Sequence, residues 1–276
     1  GAPFFNLTFV PLIVPLLLAV PFGPLLAWKR GDLLAAAQRL TAAALVSLAV
    51  VILLLAVYRK GPWLAPLGIG LGVWLIAGAL TEIGYRVKLT DASWGEIWRR
   101  LRTLPRASYG SALAHAGLGI TVIGIVATTA WRSEAILALK PGETAEIAGY
   151  SLLFEGVAPH QGPNYRERAA KFKVMRNGRE ITVLQPSKRE FMIEQSGTTE
   201  AGIHASWRGD VYAVLGDSLK DGAYSVRLYF HPLVRLIWIG TLIMFLGGAV
   251  SLSDRRLRVG APKRAAAKPA PIAAGE

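Results

Sequence analysis

The chemistry open to this chain depends on its four histidines, because it has no cysteine. Without a thiol, disulfides, thiolate nucleophiles and cysteine metal sites are excluded within the 276 residues. The sequence also has no glycine-rich phosphate loop, no nucleophile elbow and no pair of catalytic acids. It therefore predicts no self-sufficient catalytic site, and the histidines are its only candidate nitrogen ligands for a metal.

His115 differs from the other histidines because it lies inside a long apolar stretch, about 10 Å along a helix from the start of that stretch. An ionisable residue at such a depth in a membrane indicates a functional site. Ser111 and Ala112 precede it by one turn and Gly119 follows by one turn, so the helix surface beside the imidazole is flat, which suits a haem with an axial histidine. The same small residues are typical of close helix packing, and both interpretations stay open.

The remaining histidines have weaker claims to a ligand role. His231 and Arg235 are four residues apart, and on one helical face they would either meet an anionic group such as a haem propionate or anchor the helix at the interface. His160 and His204 have no carboxylate or second histidine at ligand spacing, so we expect ordinary surface or loop positions. Among the acidic residues only Glu82 comes close to lying inside an apolar stretch, at the cytoplasmic edge of the third one, whereas proton-coupled transporters usually need an acid within the membrane.

The composition predicts that a lipid bilayer surrounds much of the chain. Hydrophobic residues make up 53% of the sequence, charged residues 18%, and the mean hydropathy is +0.39. Five stretches reach the length of about 20 apolar residues that a membrane helix needs. They are Phe4–Trp28, Leu40–Tyr58, Trp63–Ile83, Ser108–Trp131 and Pro232–Leu252. The first contains four prolines and is expected to be kinked or broken.

Basic residues predict the orientation of these helices. The net charge is +13, but the Lys and Arg residues lie mostly beside apolar stretches, which argues against nucleic acid as a partner. Connections after the first, third and fifth stretches carry fifteen Lys and Arg residues, against two at positions 59 and 60 in the other short connection. By the positive-inside rule, the first set is cytoplasmic and the segment 134–230 is external.

Two further segments have a clear periodicity. Residues 91–104 begin with a capping box of Ser93 and Glu96 and place Trp94, Ile97 and Trp98 on one face, which predicts an amphipathic helix on the inner leaflet. Residues 134–230 change to a period of two, which predicts a small antiparallel β domain, either barrel-like or sandwich-like. Within it, the pair at 177–178 is Asn-Gly, the preferred type I′ hairpin turn.

Several motifs resemble the CcmF family of cytochrome c maturation proteins. They are Gly1–Asn6 (GAPFFN), Ala107–Gly119 (ASYGSALAHAGLG), Gly162–Tyr165 (GPNY) and Arg227–Trp238 (RLYFHPLVRLIW). The resemblance implies a C-terminal part of the membrane subunit of the haem lyase, which joins haem covalently to apocytochrome c. It also implies that His115 is one of two axial histidine ligands of a haem b in the membrane. The family's tryptophan-rich segment, its external haem ligands and the second membrane histidine would precede Gly1, so the fragment itself is expected to be catalytically inactive.

The predicted protein is thus an integral membrane helical bundle of about five transmembrane helices with a small antiparallel β domain. Residues 1–131 hold four spans, 132–230 a periplasmic β domain, 231–253 the fifth span and 254–276 a basic disordered cytoplasmic tail. The expected location is the bacterial inner membrane, and the expected partners are haem, apocytochrome c, a haem chaperone and other maturation subunits. The alternative is a non-catalytic membrane scaffold or transport subunit in which His115 only packs and the β domain binds a partner.

Overall fold

The computed structural model describes residues 2–26, 31–58, 61–193 and 196–254. The predicted C-terminal tail after residue 254, the basic residues at 29 and 30, and those at 59 and 60 lie outside this part of the chain. The helices in it are α1 (Ala2–Ala19), α2 (Leu33–Arg39), α3 (Thr41–Val57), α4 (Ala65–Val87), α5 (Trp94–Thr103), α6 (Arg106–Ala130) and α7 (Arg235–Leu252). The strands are β1 (Ser133–Leu139), β2 (Thr144–Ile147), β3 (Tyr150–Gln161), β4 (Tyr165–Arg176), β5 (Arg179–Leu184), β6 (Ser187–Phe191), β7 (Gly197–Glu200), β8 (Gly202–His204), β9 (Gly209–Ser218) and β10 (Tyr224–Pro232).

Four helical segments among the described residues are long and apolar enough to cross a membrane, or five if α2 and α3 form one bent span. The first is α1 continued by a 3-10 helix, Val20–Leu25, which contains two of the prolines. Proline removes a backbone donor, so the regular α-helix stops there and the freed carbonyl of Leu18 needs a partner. The indole Nε1 of Trp74, on α4, donates to that carbonyl over 3.1 Å.

The centre of the bundle is α6, which packs between α4 and α7. Helix α4 contacts α3 on another side, where the hydroxyl of Ser47 donates to the carbonyl of Gly70. Short α2 lies before α3 at an angle of 53°, a break that the apolar pattern does not predict. The start of α6 is joined to the end of α7, because the carboxylate of Asp254 accepts from the backbone N–H of Ala107 over 3.0 Å.

The predicted amphipathic segment forms helix α5 over ten residues. Ser93 caps it by accepting from the backbone N–H of Glu96 over 3.4 Å. A full capping box would also have the Glu96 side chain accept from the backbone N–H of Ser93. This hydrogen bond is absent among the described residues, because the Glu96 carboxylate instead accepts from the Arg100 guanidinium over 2.5 Å. That hydrogen bond and the charge of Arg100 lower the pKa of Glu96. Trp94 and Trp98 are exposed, as an interfacial helix requires.

The β domain is a sandwich of two antiparallel sheets, which decides between the two predicted shapes. One sheet has the order β1-β10-β9-β8, and the other has the order β2-β3-β4-β6-β7 with β5 paired to β4. Phe154 and Phe172 stack at 5.0 Å between ring centroids in a fully buried core. The predicted turn joins β4 to β5, with positive φ at both Asn177 and Gly178, as a type I′ turn demands.

Candidate functional site

His115 lies on α6, within one of the segments that can cross a membrane. Its side chain is half-buried, and it makes no hydrogen bond to another described residue. The imidazole therefore keeps both nitrogens available for a ligand from outside the described chain. An ionisable side chain inside a segment that can cross a membrane is a candidate functional group, and the unpaired imidazole of His115 is one.

The small residues around His115 serve mainly to bring helices together. A Cβ added to Gly119 would lie 2.5 Å from the carbonyl oxygen of Gly72 on α4, so the two backbones touch at this point. On the α7 side, Gly117 faces Gly240 in the same way, with a Cβ distance of 2.6 Å to the carbonyl oxygen. Helix packing therefore explains Gly119, and the flat surface predicted for a macrocycle is partly occupied by α4.

A buried acid lies near His115, and sequence reasoning placed it only at the edge of a span. Glu82 is 1% exposed in α4, and it is the charged group that acts electrostatically on His115. Its Oε1 accepts from Nε of Arg86 over 3.0 Å, whereas Oε2 has no hydrogen-bond partner among the described residues. The sequence does carry a signal for a buried Glu82, because an arginine follows it four residues later at the end of an apolar run. That spacing predicts an ion pair on one helical face.

The prediction that His231 and Arg235 share a helical face is wrong. His231 belongs to strand β10, and α7 begins only at Arg235, after Leu233 has taken a left-handed conformation. The Arg235 guanidinium lies 3.8 Å from the carboxylate of Asp210 and over the ring of Trp207. Arg235 thus links the β domain to the first residue of α7, which agrees with the anchoring role.

His231 is packed between aromatic rings at the same junction. Its ring lies edge-on to Tyr212, with centroids 5.0 Å apart, and parallel to Tyr229 at 6.1 Å. Burial, and then the charge of Arg132, lower the pKa of His231, so the neutral imidazole is favoured. Nδ1 is buried without a hydrogen-bond partner in the described part of the chain. A neutral ring enclosed in this way does not suit the binding of a propionate.

The two β-domain histidines lie apart from His115. His160 is exposed on β3, beside a cleft of about 310 Å³ that also has Arg166 and Arg168 in its wall. His204, on β8, contacts the ring of Tyr150 at 6.2 Å. No three His, Cys, Asp or Glu residues come together as a metal site in the residues that the structure describes. Only His115 combines a free imidazole with a position inside the bundle.

The imidazole of His115 has the kind of donor atom that an iron porphyrin takes as an axial ligand. His115 would present that nitrogen from α6, which packs between α4 and α7. The described residues offer no second histidine at this depth.

Residues 130–232 match the model of the CcmF C-terminal β-sandwich. Cytochrome c-type biogenesis protein CycK of Bradyrhizobium diazoefficiens is 53% identical over 268 residues, which are 97% of this chain and 41% of that protein. Cytochrome c-type biogenesis protein CcmF of Pseudomonas aeruginosa is 36% identical over 262 residues, 94% of this chain and 39% of that protein.

A solved structure of a cytochrome c haem lyase CcmF has the same fold, with a TM-score of 0.70 at 24% identity. The match covers 92% of this chain and 41% of that one. The chain thus spans about two fifths of the length of the relatives that it matches. The helical bundle and the β-sandwich match the solved structure, and the sequence matches the relatives. The chain belongs to the CcmF family, whose C-terminal β-sandwich it carries.

Proposed function

We propose that this chain acts in cytochrome c maturation, as part of the membrane subunit of a haem lyase that attaches haem covalently to apocytochrome c. The names of its relatives support the proposal, because they are cytochrome c-type biogenesis proteins and a haem lyase. The absence of a catalytic constellation in the sequence agrees with a subunit that positions haem and partners. We expect the described part of the chain to be inactive by itself.

The specific role proposed for His115 is axial ligation of a haem b within the membrane. The observation that carries this role is the half-buried imidazole on α6, which has no hydrogen bond to another described residue. When bound, the haem supplies a one-electron redox centre. The chain itself fixes helix α6 through the contacts of Gly119 with α4 and of Gly117 with α7, and Glu82, which is paired with Arg86, acts on His115 from α4.

The proposed location is the bacterial inner membrane, with the β-sandwich in the periplasm and the C-terminus in the cytoplasm. The distribution of basic residues, fifteen against two, supports this orientation. In that orientation the β-sandwich faces the compartment in which apocytochrome c would be met. We therefore propose the domain as a docking surface for apocytochrome c, a haem chaperone or other maturation subunits. Removing residues 134–230 should abolish co-purification of such partners, and unchanged co-purification would contradict docking.

The test of His115 is the absorption spectrum of the intact purified protein. His115→Ala should remove the b-type haem signal, because no other described histidine on α6 can replace the ligand. His160→Ala is the matched control, since His160 is exposed on β3 and should leave the spectrum unchanged. An unchanged b-type signal in His115→Ala would refute ligation by this residue.

A second candidate is a non-catalytic scaffold or transport subunit. The close contact of Gly119 with Gly72 favours it, since packing alone explains those small residues. The buried Glu82 also resembles the intramembrane acid of a proton-coupled transporter, but its ion pair with Arg86 neutralises it. Under this candidate, the spectrum of the protein would not depend on His115 at all.

A further inference from the structure

A cleft with basic walls opens between α2, α3 and α4. Deeper in the bundle, α3 and α4 are held together by the hydrogen bond from Ser47 to Gly70, with Val51 packed on that glycine. Towards the other end of α4, the 53° bend between α2 and α3 directs α2 away from the axis of α3. The result is a cleft of about 720 Å³ with Arg39 and Ala42 on one side and the end of α4 on the other. We call it the basic cleft.

Among the residues that the structure describes, three cations line the basic cleft. The Arg39 guanidinium lies 4.0 Å over the ring of Tyr85 and donates to the carbonyl of Leu25 over 3.4 Å, so it is held in place. Arg86 is held by its ion pair with Glu82, and 36% of its side chain is still exposed. Lys88 is exposed and makes no salt bridge with a described residue. Asp91 is the acid in the described wall, and Arg86 is already paired with Glu82, so Arg39 and Lys88 exceed Asp91 by one positive charge.

Apolar side chains complete the cleft. Leu80 is 67% exposed and Leu89 is 54% exposed, and both stand next to the cations. Leu80 belongs to the segment of α4 that can cross a membrane, so its exposed face suits hydrocarbon. A ligand that pairs with the cations and also packs against Leu80 and Leu89 has a negatively charged head and an apolar tail.

We propose that the basic cleft binds the headgroup of an anionic phospholipid, with an acyl chain along Leu80. Clusters of Lys and Arg between helices at a membrane surface attract phosphate groups of lipids in this way. Arg39 and Lys88 would contact the phosphate diester, while Arg86 adds charge from its fixed position. Cardiolipin carries both phosphate groups and acyl chains, so it is the probe for a site with a cationic wall and an apolar wall. Free phosphate shares the head chemistry but has no tail for the apolar wall.

Native mass spectrometry of the intact protein in detergent, titrated with cardiolipin, tests the proposal. The variant Arg39→Gln/Lys88→Gln removes two cations of the cleft. Each Lys or Arg near an anionic lipid contributes about fivefold in affinity, so we expect binding to weaken about 25-fold. The matched control is Arg99→Gln/Arg102→Gln, which removes two cations of α5 outside the cleft and should leave affinity within about twofold.

Three results would overturn the proposal. Equal weakening in the α5 control would show general surface electrostatics, and equally tight binding of phosphatidylcholine would show that charge has no role. Displacement of cardiolipin by equimolar inorganic phosphate would identify a site for a soluble anion.

The single variant Lys88→Gln controls for misfolding, because this side chain is exposed and makes no salt bridge with a described residue. It should weaken cardiolipin about fivefold with an unchanged melting temperature, and an unchanged affinity would also overturn the proposal.

Discussion

Two neighbouring glycines near the end of α7 provide a sharp test of how the bundle is packed. A Cβ added to Gly247 would lie 2.6 Å from the backbone nitrogen of Ala114, next to His115. A Cβ added to Gly248 would have no other atom within 4 Å. The substitution Gly247→Ala therefore forces a methyl group into the contact between α6 and α7, whereas Gly248→Ala places the same group in open space.

The expected magnitudes follow from these distances. An ordinary contact begins near 3.4 Å, so Gly247→Ala requires the two backbones to separate by about 0.8 Å. Overpacking of this kind costs about 1–3 kcal/mol, and the better helix propensity of alanine returns up to about 1 kcal/mol. We expect a net loss of up to about 2 kcal/mol for Gly247→Ala and a gain of up to about 1 kcal/mol for Gly248→Ala, so the two variants should differ by about 1–3 kcal/mol.

The assay is the melting temperature of the purified protein in one detergent, followed by circular dichroism. A difference of about 1–3 kcal/mol should place the melting temperature of Gly247→Ala about 2–12 °C below that of Gly248→Ala, and Gly248→Ala should not melt below the wild type. If both variants melt alike, or if Gly247→Ala is the more stable, the close contact between α6 and α7 is not a source of stability and the packing described here is refuted.

Three further predictions concern other contacts. Phe172→Ala should destabilise the β-sandwich by about 3–5 kcal/mol, seen as faster amide hydrogen exchange in its strands; unchanged exchange would contradict the assigned core. The hydrogen bond from Arg189 lowers the pKa of Glu167, so the stability that Glu167→Gln removes should be present at neutral pH and vanish as the pH falls below about 4.5. A pH-independent difference in melting temperature between wild type and variant would refute this linkage. Asp254→Ala should cost about 1–2 kcal/mol, because the N–H of Ala107 loses its partner at the start of α6; an unchanged melting temperature would argue against that link.

Much of the fold could be predicted from local patterns. Apolar length identified the membrane helices, because a helix must satisfy its own backbone in lipid. The Asn177-Gly178 pair identified a hairpin, because few residues accept positive φ at both central positions. The strand β1 has no signature in the sequence, since its Ala- and Leu-rich run is mostly exposed and shows no alternation. Its place is set by pairing with β10, a contact nearly a hundred residues away.

The candidate site could be predicted only in part. His115 was recognisable because an ionisable residue in an apolar run is rare. Which helices its neighbouring glycines touch was not predictable, since that depends on how α4 and α7 approach α6. The helical relation assumed for His231 and Arg235 failed because strand β10 continues to Pro232, past the expected start of the helix. Spacing alone does not distinguish a strand end from a helix start.

The most direct test of the central claim is a ligand-rescue experiment on the intact protein. His115→Gly should lose the b-type absorption of a six-coordinate haem, and adding free imidazole should restore it, because the small molecule can occupy the position of the missing ring. Rescue would also show that the variant is folded. A b-type spectrum that survives His115→Gly without added imidazole would contradict the assignment of this histidine as an axial ligand.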